Sequence, residues 1–359
     1  MLKCTWNFIF TYTLQSPRFA KPGKMVFEMP VVLNCLFCTN GLYLLIENTS
    51  GKGYRIMKKD FDFWWRLVRP HTLTASLVPV LVGSIWAFSC THTLHIGLFL
   101  AMLIASCAIQ IATNLFNEYY DYVRGLDTKD SVGIGGTIVH DGASPKFVLN
   151  LALGLYGLAA LLGIYICYNS SWYLLFIGAF CMLIGYLYTG GPFPISSSPF
   201  GELFAGGFLG TGVICISYFI QTGSITWHTV AISVPVLVLI GLILTGNNIR
   251  DRVGDAANGR RTLVILLGHK RSVQFLNIMF AFCYAWIAGL ILFGGHSVWL
   301  LATFLSIPTA RKAVEKFRPK GQTPQQMMAA MVLIPKTNTQ FGLALGLLME
   351  SFLPCFNFK

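Results

Sequence analysis

The stretch from Val230 to Asp251 reads VAISVPVLVLIGLILTGNNIRD, and its composition changes abruptly at Gly246. Val230 to Thr245 contains no Lys, Arg, Asp or Glu, whereas the six residues that follow include two asparagines, an arginine and an aspartate. An uncharged run of this kind approaches the roughly 17 to 25 residues that a membrane-spanning helix needs. The stretch therefore predicts a transmembrane helix that ends in a polar, acid-containing segment.

The same uncharged pattern recurs along the chain. Six further runs are free of charged residues, and two less regular runs contain Pro308 and Glu350. The clear runs are Leu73 to Cys90, Ile96 to Leu115, Phe147 to Tyr168, Trp172 to Tyr188, Leu203 to Ile220 and Val273 to Phe293. The irregular runs are Val298 to Ala310 and Thr337 to Phe356. The pattern predicts an all-α polytopic membrane protein with about nine transmembrane helices.

The overall composition agrees with a membrane protein. Charged residues make up only 11% of the 359 residues, whereas a soluble domain usually carries about 25%. So few charges cannot cover a water-exposed surface, which excludes an ordinary water-soluble enzyme.

The net charge of +12 is distributed unevenly along the chain. The turns at residues 91–95, 169–171, 221–229 and 294–297 contain no Lys or Arg, and the basic residues concentrate in the loops on the opposite side. By the positive-inside rule, the amino end and the long loops lie in the cytoplasm. The charge therefore indicates topology and attraction to anionic membrane lipid, and we predict no nucleic-acid partner.

The acidic residues gather in two short segments, each directly after an apolar run. Half of the 14 Asp and Glu residues lie within residues 118–141 and 251–255. Before each segment, an Asn lies four positions ahead of one of its aspartates, a spacing that puts both side chains on one face of a helix. The pairs are Asn117 with Asp121 and Asn247 with Asp251.

This pattern favours a metal site. Carboxylates one helical turn apart repel each other unless a cation lies between them. Oxygen ligands select Mg²⁺ or Mn²⁺, and Mg²⁺ prefers one or two carboxylates together with phosphate oxygens. The glycine-rich segment Gly133 to Gly142 adds backbone amides that can approach an anion closely. The predicted metal ligands are Asn117, Asp121, Asp127, Asp251 and Asp255, and the four aspartates are also the predicted catalytic residues.

Seven stretches carry a resemblance to a known family. They are Arg69 to Gly83, Asn117 to Asp127 (NEYYDYVRGLD), Val132 to Gly142, Tyr186 to Pro192, Ser198 to Glu202, Gly246 to Leu263 and Lys336 to Thr339. Together they resemble the UbiA-type membrane prenyltransferases, and within them the branch whose acceptor is 1,4-dihydroxy-2-naphthoate. Glu118 stands where the superfamily motif N-D-x-x-D-x-x-x-D has its first Asp, and Asp127 follows Asp121 by six positions instead of four.

The resemblance implies a helical bundle around a central cavity, in which Mg²⁺, or Mn²⁺ in its place, bridges the acidic segments and a polyprenyl diphosphate. It implies transfer of the polyprenyl group to 1,4-dihydroxy-2-naphthoate with decarboxylation, on the way to demethylmenaquinone. It also implies an active site on the cytoplasmic side of a bacterial cytoplasmic membrane. The candidate substrate-binding residues are Asn117, Arg124, Lys129, Lys146, Asn248, Arg261, Tyr188 and Arg69.

The amino-terminal residues 1–56 lie outside the resemblance. Met57-Lys58-Lys59-Asp60 leads directly into Trp64, Trp65 and Arg66, an interfacial approach to the first helix. We therefore predict a prenyltransferase domain over residues 57–359. Residues 1–56 are predicted to be an extension that is disordered or that arises from a non-native start.

The sequence leaves three alternatives open. The first is a UbiA-type enzyme with another acceptor, such as homogentisate, 4-hydroxybenzoate or heme. The second is a CDP-alcohol phosphotransferase, whose D-G-x-x-A-R motif is absent from the sequence. The third is an ion-coupled transporter, which would favour ionisable residues at mid-membrane, whereas here the clear apolar runs carry none.

Overall fold

A computed structural model describes residues 10–14, 31–38, 41–47, 54–59, 61–128 and 135–348. The chain divides into two units, Met1–Val68 and Arg69–Lys359. The prenyltransferase domain over residues 57–359 stays a prediction. Whether residues 1–56 belong to the native protein stays a prediction.

The first unit contains an antiparallel sheet with the strand order β1-β2-β3-β4. The central pair is in register with Leu33 opposite Ile46, and the last pair with Leu44 opposite Met57. The all-α prediction therefore does not extend to this unit. Its elements are β1 Phe10–Leu14, β2 Val31–Cys38, β3 Gly41–Glu47, β4 Tyr54–Lys59 and helix α1 Phe61–Val68.

The second unit is entirely helical over its described residues, as the apolar runs predict. Its α-helices are α2 Thr74–Thr91, α3 Ile96–Val123, α4 Thr137–His140, α5 Pro145–Asn169, α6 Tyr173–Leu187, α7 Gly201–Ala205, α8 Val213–Thr222, α9 Trp227–Ala257, α10 Leu263–Phe293, α11 Ile307–Phe317, α12 Pro324–Met331 and α13 Leu333–Leu348. Short 3₁₀ segments are Pro70–Thr72, Ile195–Ser197 and Val298–Ser306, and a π-helical stretch, Gly206–Gly212, joins α7 to α8. The all-α membrane fold is thus confirmed for this unit.

In the described part of the chain, fewer helices than the nine predicted are both long and apolar enough to cross a membrane. Among the described residues, six helical segments are long and apolar enough to cross a membrane, and α6 is apolar but only 15 residues long. The eighth predicted run divides into the 3₁₀ segment Val298–Ser306 and the partly basic helix α11. Each predicted run has a helical counterpart, but nine full spans are not confirmed.

Helix α9 is the most enclosed of the six spans. Ile232, Val236 and Leu239 are completely buried, as expected for a helix that is apolar on all sides and sits inside a bundle. The helix begins where the Thr226 hydroxyl accepts a hydrogen bond from the Thr229 amide, a standard N-cap. Its opposite end carries the second acidic segment, so the packing of α9 positions those carboxylates.

Glycines let the α7–α8 segment pack directly against α9. A Cβ on Gly206 would overlap the carbonyl oxygen of Leu237, and one on Gly210 would lie 2.6 Å from the Leu237 Cα. No side chain fits at either position, because the atoms it would meet are backbone. This contact brings Glu202, on α7, beside the end of α9.

Candidate active site

The two acidic segments line one polar cavity of about 940 Å³. The first segment comes from the end of α3 and the loop after it, and the second comes from the end of α9. Predicted site residues that line this cavity are Arg69, Asn117, Asp121, Asp127, Tyr188, Asn248, Asp251 and Asp255. The structure therefore brings together residues that are about 130 positions apart in the sequence.

Arg260 connects the two segments. Its Nη2 lies 2.6 Å from Oδ1 of Asp121, and its Nη1 lies 3.2 Å from Oδ1 of Asp255. All three side chains are largely buried, with exposed fractions of 13% to 17%. One guanidinium thus lies between a carboxylate from each segment, and its single charge offsets only one of the two negative charges.

Arg261 was the predicted substrate contact, whereas the arginine between the two acidic segments is Arg260. Arg261 is exposed and lines neither cavity, and its backbone amide donates to the carbonyl of Ser197. Gly259 has φ +76 and turns the chain, so that the Arg260 amide meets the Asp255 carbonyl at 3.0 Å. Asn258-Gly259 is a helix-stop signal, and it could have indicated that Arg260 folds back toward Asp255.

The remaining two aspartates have different surroundings. Asp251 is held by its neighbour Arg250, with Nε to Oδ1 and Nη2 to Oδ2 both at 2.6 Å. Asp127 follows α3, and burial together with the carboxylate of Asp121 raises the pKa of Asp127 to about 6. A cation bound near Asp127 would lower the pKa of this carboxyl again and favour its ionised form.

The side chain of Asn248 forms a hydrogen bond with Glu202. Its Nδ2 donates to Oε1 of Glu202 at 2.8 Å, and both residues are buried. Oε2 of Glu202 and the Tyr188 hydroxyl are buried atoms without a hydrogen-bond partner among the described residues. Sequence reasoning did not single out Glu202, because its role depends on the contact between α7 and α9.

Two predicted basic contacts, Arg124 and Lys146, do not line the polar cavity. Arg124 donates to the carbonyls of Thr189 and Gly191 at 2.7 and 2.8 Å, so it holds the segment after α6. Lys146 is exposed in the first turn of α5 and lines neither cavity. Lys129 lies outside the described residues.

A second, apolar cavity of about 450 Å³ lies between α3, α5, α6 and α8. The two cavities share a boundary, which includes Arg69, Asn117, Tyr188, Asn247 and Arg250. A molecule with a charged head and an apolar tail would place its head among the acids and its tail between these helices. The boundary is then where the two parts of such a molecule join.

The polar cavity fits a divalent ion in one particular way. Within the described part of the chain, no three His, Cys, Asp or Glu side chains converge as a complete metal cage. Mg²⁺ usually binds to one or two carboxylates and takes the rest of its ligands from water and phosphate. Asp121 and Asp255, bridged here by a guanidinium, match that requirement when a phosphate-bearing substrate is present.

Comparison with known sequences agrees with this geometry. A model of the UbiA prenyltransferase family matches residues 76–334. The chain is 50% identical to the 1,4-dihydroxy-2-naphthoate octaprenyltransferase of Bacillus subtilis over 310 residues, which cover 85% of this chain and 99% of the relative. It is 31% identical to the enzyme of the same name from Mycobacterium tuberculosis, over 72% of this chain and 87% of that one.

Solved structures share the fold at low sequence identity. A UbiA homologue from Archaeoglobus fulgidus bound to DMAPP and Mg²⁺ superimposes with a TM-score of 0.55 and 16% identity, over 81% of this chain and 99% of that one. The apo UbiA homologue from Aeropyrum pernix gives a TM-score of 0.58 and 18% identity, over 77% and 96%. The chain therefore belongs to the UbiA prenyltransferase family and is an integral membrane protein.

Proposed function

We propose that this membrane prenyltransferase transfers a polyprenyl group from polyprenyl diphosphate to 1,4-dihydroxy-2-naphthoate. The observation that carries the proposal is the 50% identity to an enzyme named for this reaction, over 99% of that enzyme's length. The facing acidic segments and the adjoining apolar cavity supply the two environments that such a substrate needs.

The proposed reaction makes one carbon–carbon bond. The allylic C–O bond breaks and diphosphate leaves with its electron pair. The ring carbon that bears the carboxyl group then bonds to the allylic carbon. Loss of CO₂ returns the electrons of its bond to the ring, and the product is a prenylated 1,4-naphthohydroquinone, which needs no oxidant from the enzyme.

Asp121, Asp255 and Asp127 are the proposed metal ligands, with Asn117 and Asp251 at the edge of the same cavity. A bound Mg²⁺, or Mn²⁺ in its place, would stabilise the negative charge on the departing diphosphate. The Arg260 guanidinium already lies beside Asp121 and Asp255, and it is the proposed protein contact to diphosphate. The helices around the apolar cavity exclude water from the reactive carbocation.

Arg69 and Tyr188 are the proposed acceptor contacts. Both line the boundary between the two cavities, where the allylic carbon of a substrate with its head in the polar cavity would lie. The guanidinium of Arg69 can bind a carboxylate, and the Tyr188 hydroxyl has an unused hydrogen-bonding capacity among the described residues. An active site that faces the cytoplasm of a bacterial cell is the proposed orientation, supported by the positive-inside pattern.

The direct test is a product assay on membranes that contain the protein. Polyprenyl diphosphate and Mg²⁺ are supplied with 1,4-dihydroxy-2-naphthoate, 4-hydroxybenzoate or homogentisate, and products are identified by mass. We expect a prenylated, decarboxylated product from the naphthoate only, and none after EDTA treatment. A product from another acceptor alone would refute the acceptor, and no product from any acceptor would leave a transporter as the better explanation.

The raised pKa of Asp127 predicts a pH-dependent metal requirement. A divalent ion binds the ionised carboxylate, so protons compete with it below the pKa of about 6. The apparent Mg²⁺ activation constant should change little above about pH 7 and weaken roughly tenfold by about pH 5. Burial also raises the pKa of Asp255, another proposed ligand, to about 6. Asp127→Asn should therefore bind the ion more weakly and lose only its own part of the pH dependence, and an unchanged pH profile would assign the competing proton to Asp255.

The apolar cavity predicts an effect of side-chain volume on chain length. Gly178 lines this cavity, and a Cβ there would meet no atom within 4 Å. Gly178→Phe should lower kcat/KM for a long polyprenyl diphosphate at least about tenfold and that for geranyl diphosphate less than about threefold. Gly154→Phe is the matched control, because Gly154 is exposed on α5 and lines neither cavity. Equal losses with both substrates would place the tail elsewhere.

A further inference from the structure

Glu118 is a buried carboxylate inside the first acidic segment, yet it does not face the polar cavity. It is only 1% exposed, and it lines neither the polar nor the apolar cavity. Asp121, one turn further along α3, lines the polar cavity. Glu118 and Asp121 therefore have different surroundings.

The oxygens of Glu118 are occupied by protein donors. Oε1 accepts hydrogen bonds from the Thr137 hydroxyl and from the Ile138 amide, the latter at 3.0 Å. Oε2 lies 3.4 Å from Nη2 of Arg69. Buried carboxylates are stable when such donors satisfy them. A metal ion at Glu118 would have to displace these contacts, so Glu118 does not resemble the cavity-lining carboxylates.

The three donors come from two separate parts of the chain. Arg69 precedes α2 by a short turn, while Thr137 and Ile138 begin α4, which lies within the glycine-rich segment. Thr137 is completely buried. Glu118 thus holds the middle of the glycine-rich segment and the Arg69 guanidinium at the same point on α3.

Arg69 has an unusual backbone conformation, and its guanidinium lies against Gly135. The Arg69 backbone adopts φ +52, which is uncommon for a residue other than glycine. A Cβ on Gly135 would overlap the guanidinium of Arg69, so a side chain at this position would force the guanidinium to move. The Nε of Arg69 is buried and has no hydrogen-bond partner among the described residues.

We propose that Glu118 is a positioning residue that orients Arg69, so that the free edge of its guanidinium binds an oxyanion of the substrates at the boundary of the two cavities. The oxyanion is either the carboxylate of the aromatic acceptor or the diphosphate, because a guanidinium can donate two parallel hydrogen bonds to either group. This inference rests on the proposed function, and it gives the Glu at this motif position a task other than metal binding.

The test compares Glu118→Gln with the wild type in detergent-solubilised protein. The amide keeps the size and one acceptor oxygen but loses the charge that holds Arg69. We expect KM to rise about tenfold for one substrate, with kcat and the Mn²⁺ affinity measured by electron paramagnetic resonance changing less than about threefold. A rise for the naphthoate assigns the oxyanion to the acceptor, and a rise for the prenyl diphosphate assigns it to the diphosphate.

A double-mutant cycle shows whether the effect passes through Arg69. In the Arg69→Gln background, Glu118→Gln should add little to the rise in KM, because the group that it orients is already absent. Thr137→Val removes one hydrogen bond to Glu118 at nearly constant volume, and a smaller rise of the same kind is expected. This variant also keeps the proposal testable if Glu118→Gln fails to fold. Glu315→Gln, an exposed carboxylate change on α11, is the control.

Two results would overturn the proposal. A loss of Mn²⁺ affinity in Glu118→Gln would make Glu118 a metal ligand, and additive effects in the cycle would separate it from Arg69. If the wild type is active, either of these two results overturns the role of Glu118 but leaves the proposed function unaffected. An inactive wild type would instead refute the proposed function itself.

Discussion

Asp121→Asn is expected to lower kcat about 1000-fold, which corresponds to about 4 kcal/mol of lost transition-state stabilisation. Asp121 lies on α3, lines the polar cavity and shares the Arg260 guanidinium with Asp255. The amide removes the negative charge that would hold a divalent ion against the departing diphosphate. The measurement is the rate of prenylated product formation at saturating substrates across a Mg²⁺ titration.

The control for this variant is Glu315→Gln, the same carboxylate-to-amide change on the exposed side of α11. It should retain wild-type turnover, and both variants should reach the membrane in equal amounts with similar melting behaviour in detergent. If Asp121→Asn kept more than about a tenth of the wild-type kcat at every Mg²⁺ concentration, the assignment of Asp121 as a metal ligand would be refuted.

Arg260→Gln is expected to change metal binding and catalysis in opposite directions. In the structure, its guanidinium occupies the space between Asp121 and Asp255, so it competes with a cation for the same carboxylates. Without it, Mn²⁺ binding in the absence of substrate should tighten about tenfold, because the remaining carboxylates repel each other until a cation arrives. The kcat/KM for prenyl diphosphate should fall about 100-fold, because a charge-assisted contact to the diphosphate is lost.

The measurements are an Mn²⁺ titration followed by electron paramagnetic resonance and steady-state kinetics with varied prenyl diphosphate. Arg271→Gln, an exposed arginine of α10, controls for the loss of one positive charge. The catalytic loss should exceed that of Arg261→Gln at least about tenfold, because Arg261 is exposed and does not line the polar cavity. Weaker Mn²⁺ binding in Arg260→Gln would show that Arg260 supports the metal site instead of competing with the ion.

Several features of the site could be predicted from local sequence. The spacing of Asn117 and Asp121, and the acids at the end of α9, correctly indicated which helix ends line the polar cavity. That inference needed only the helical period and the position of each segment after an apolar run. The contacts of individual side chains could not be inferred in the same way. Arg260 reaches Asp121 across 139 positions of the chain, and Asn248 donates to Glu202 across 46.

By itself, the sequence determined that the second unit is a helical membrane bundle with two acidic helix ends. The reason is that a membrane helix satisfies all its backbone hydrogen bonds within one segment, so an uncharged run predicts it without knowledge of its neighbours. Only the tertiary structure decided which charges meet. Neither the choice of Arg260 over Arg261 nor the burial of Glu118 among donors from residues 69, 137 and 138 follows from composition or spacing. Such contacts depend on how α2, α3, α4 and α9 pack and on how the loops between them turn.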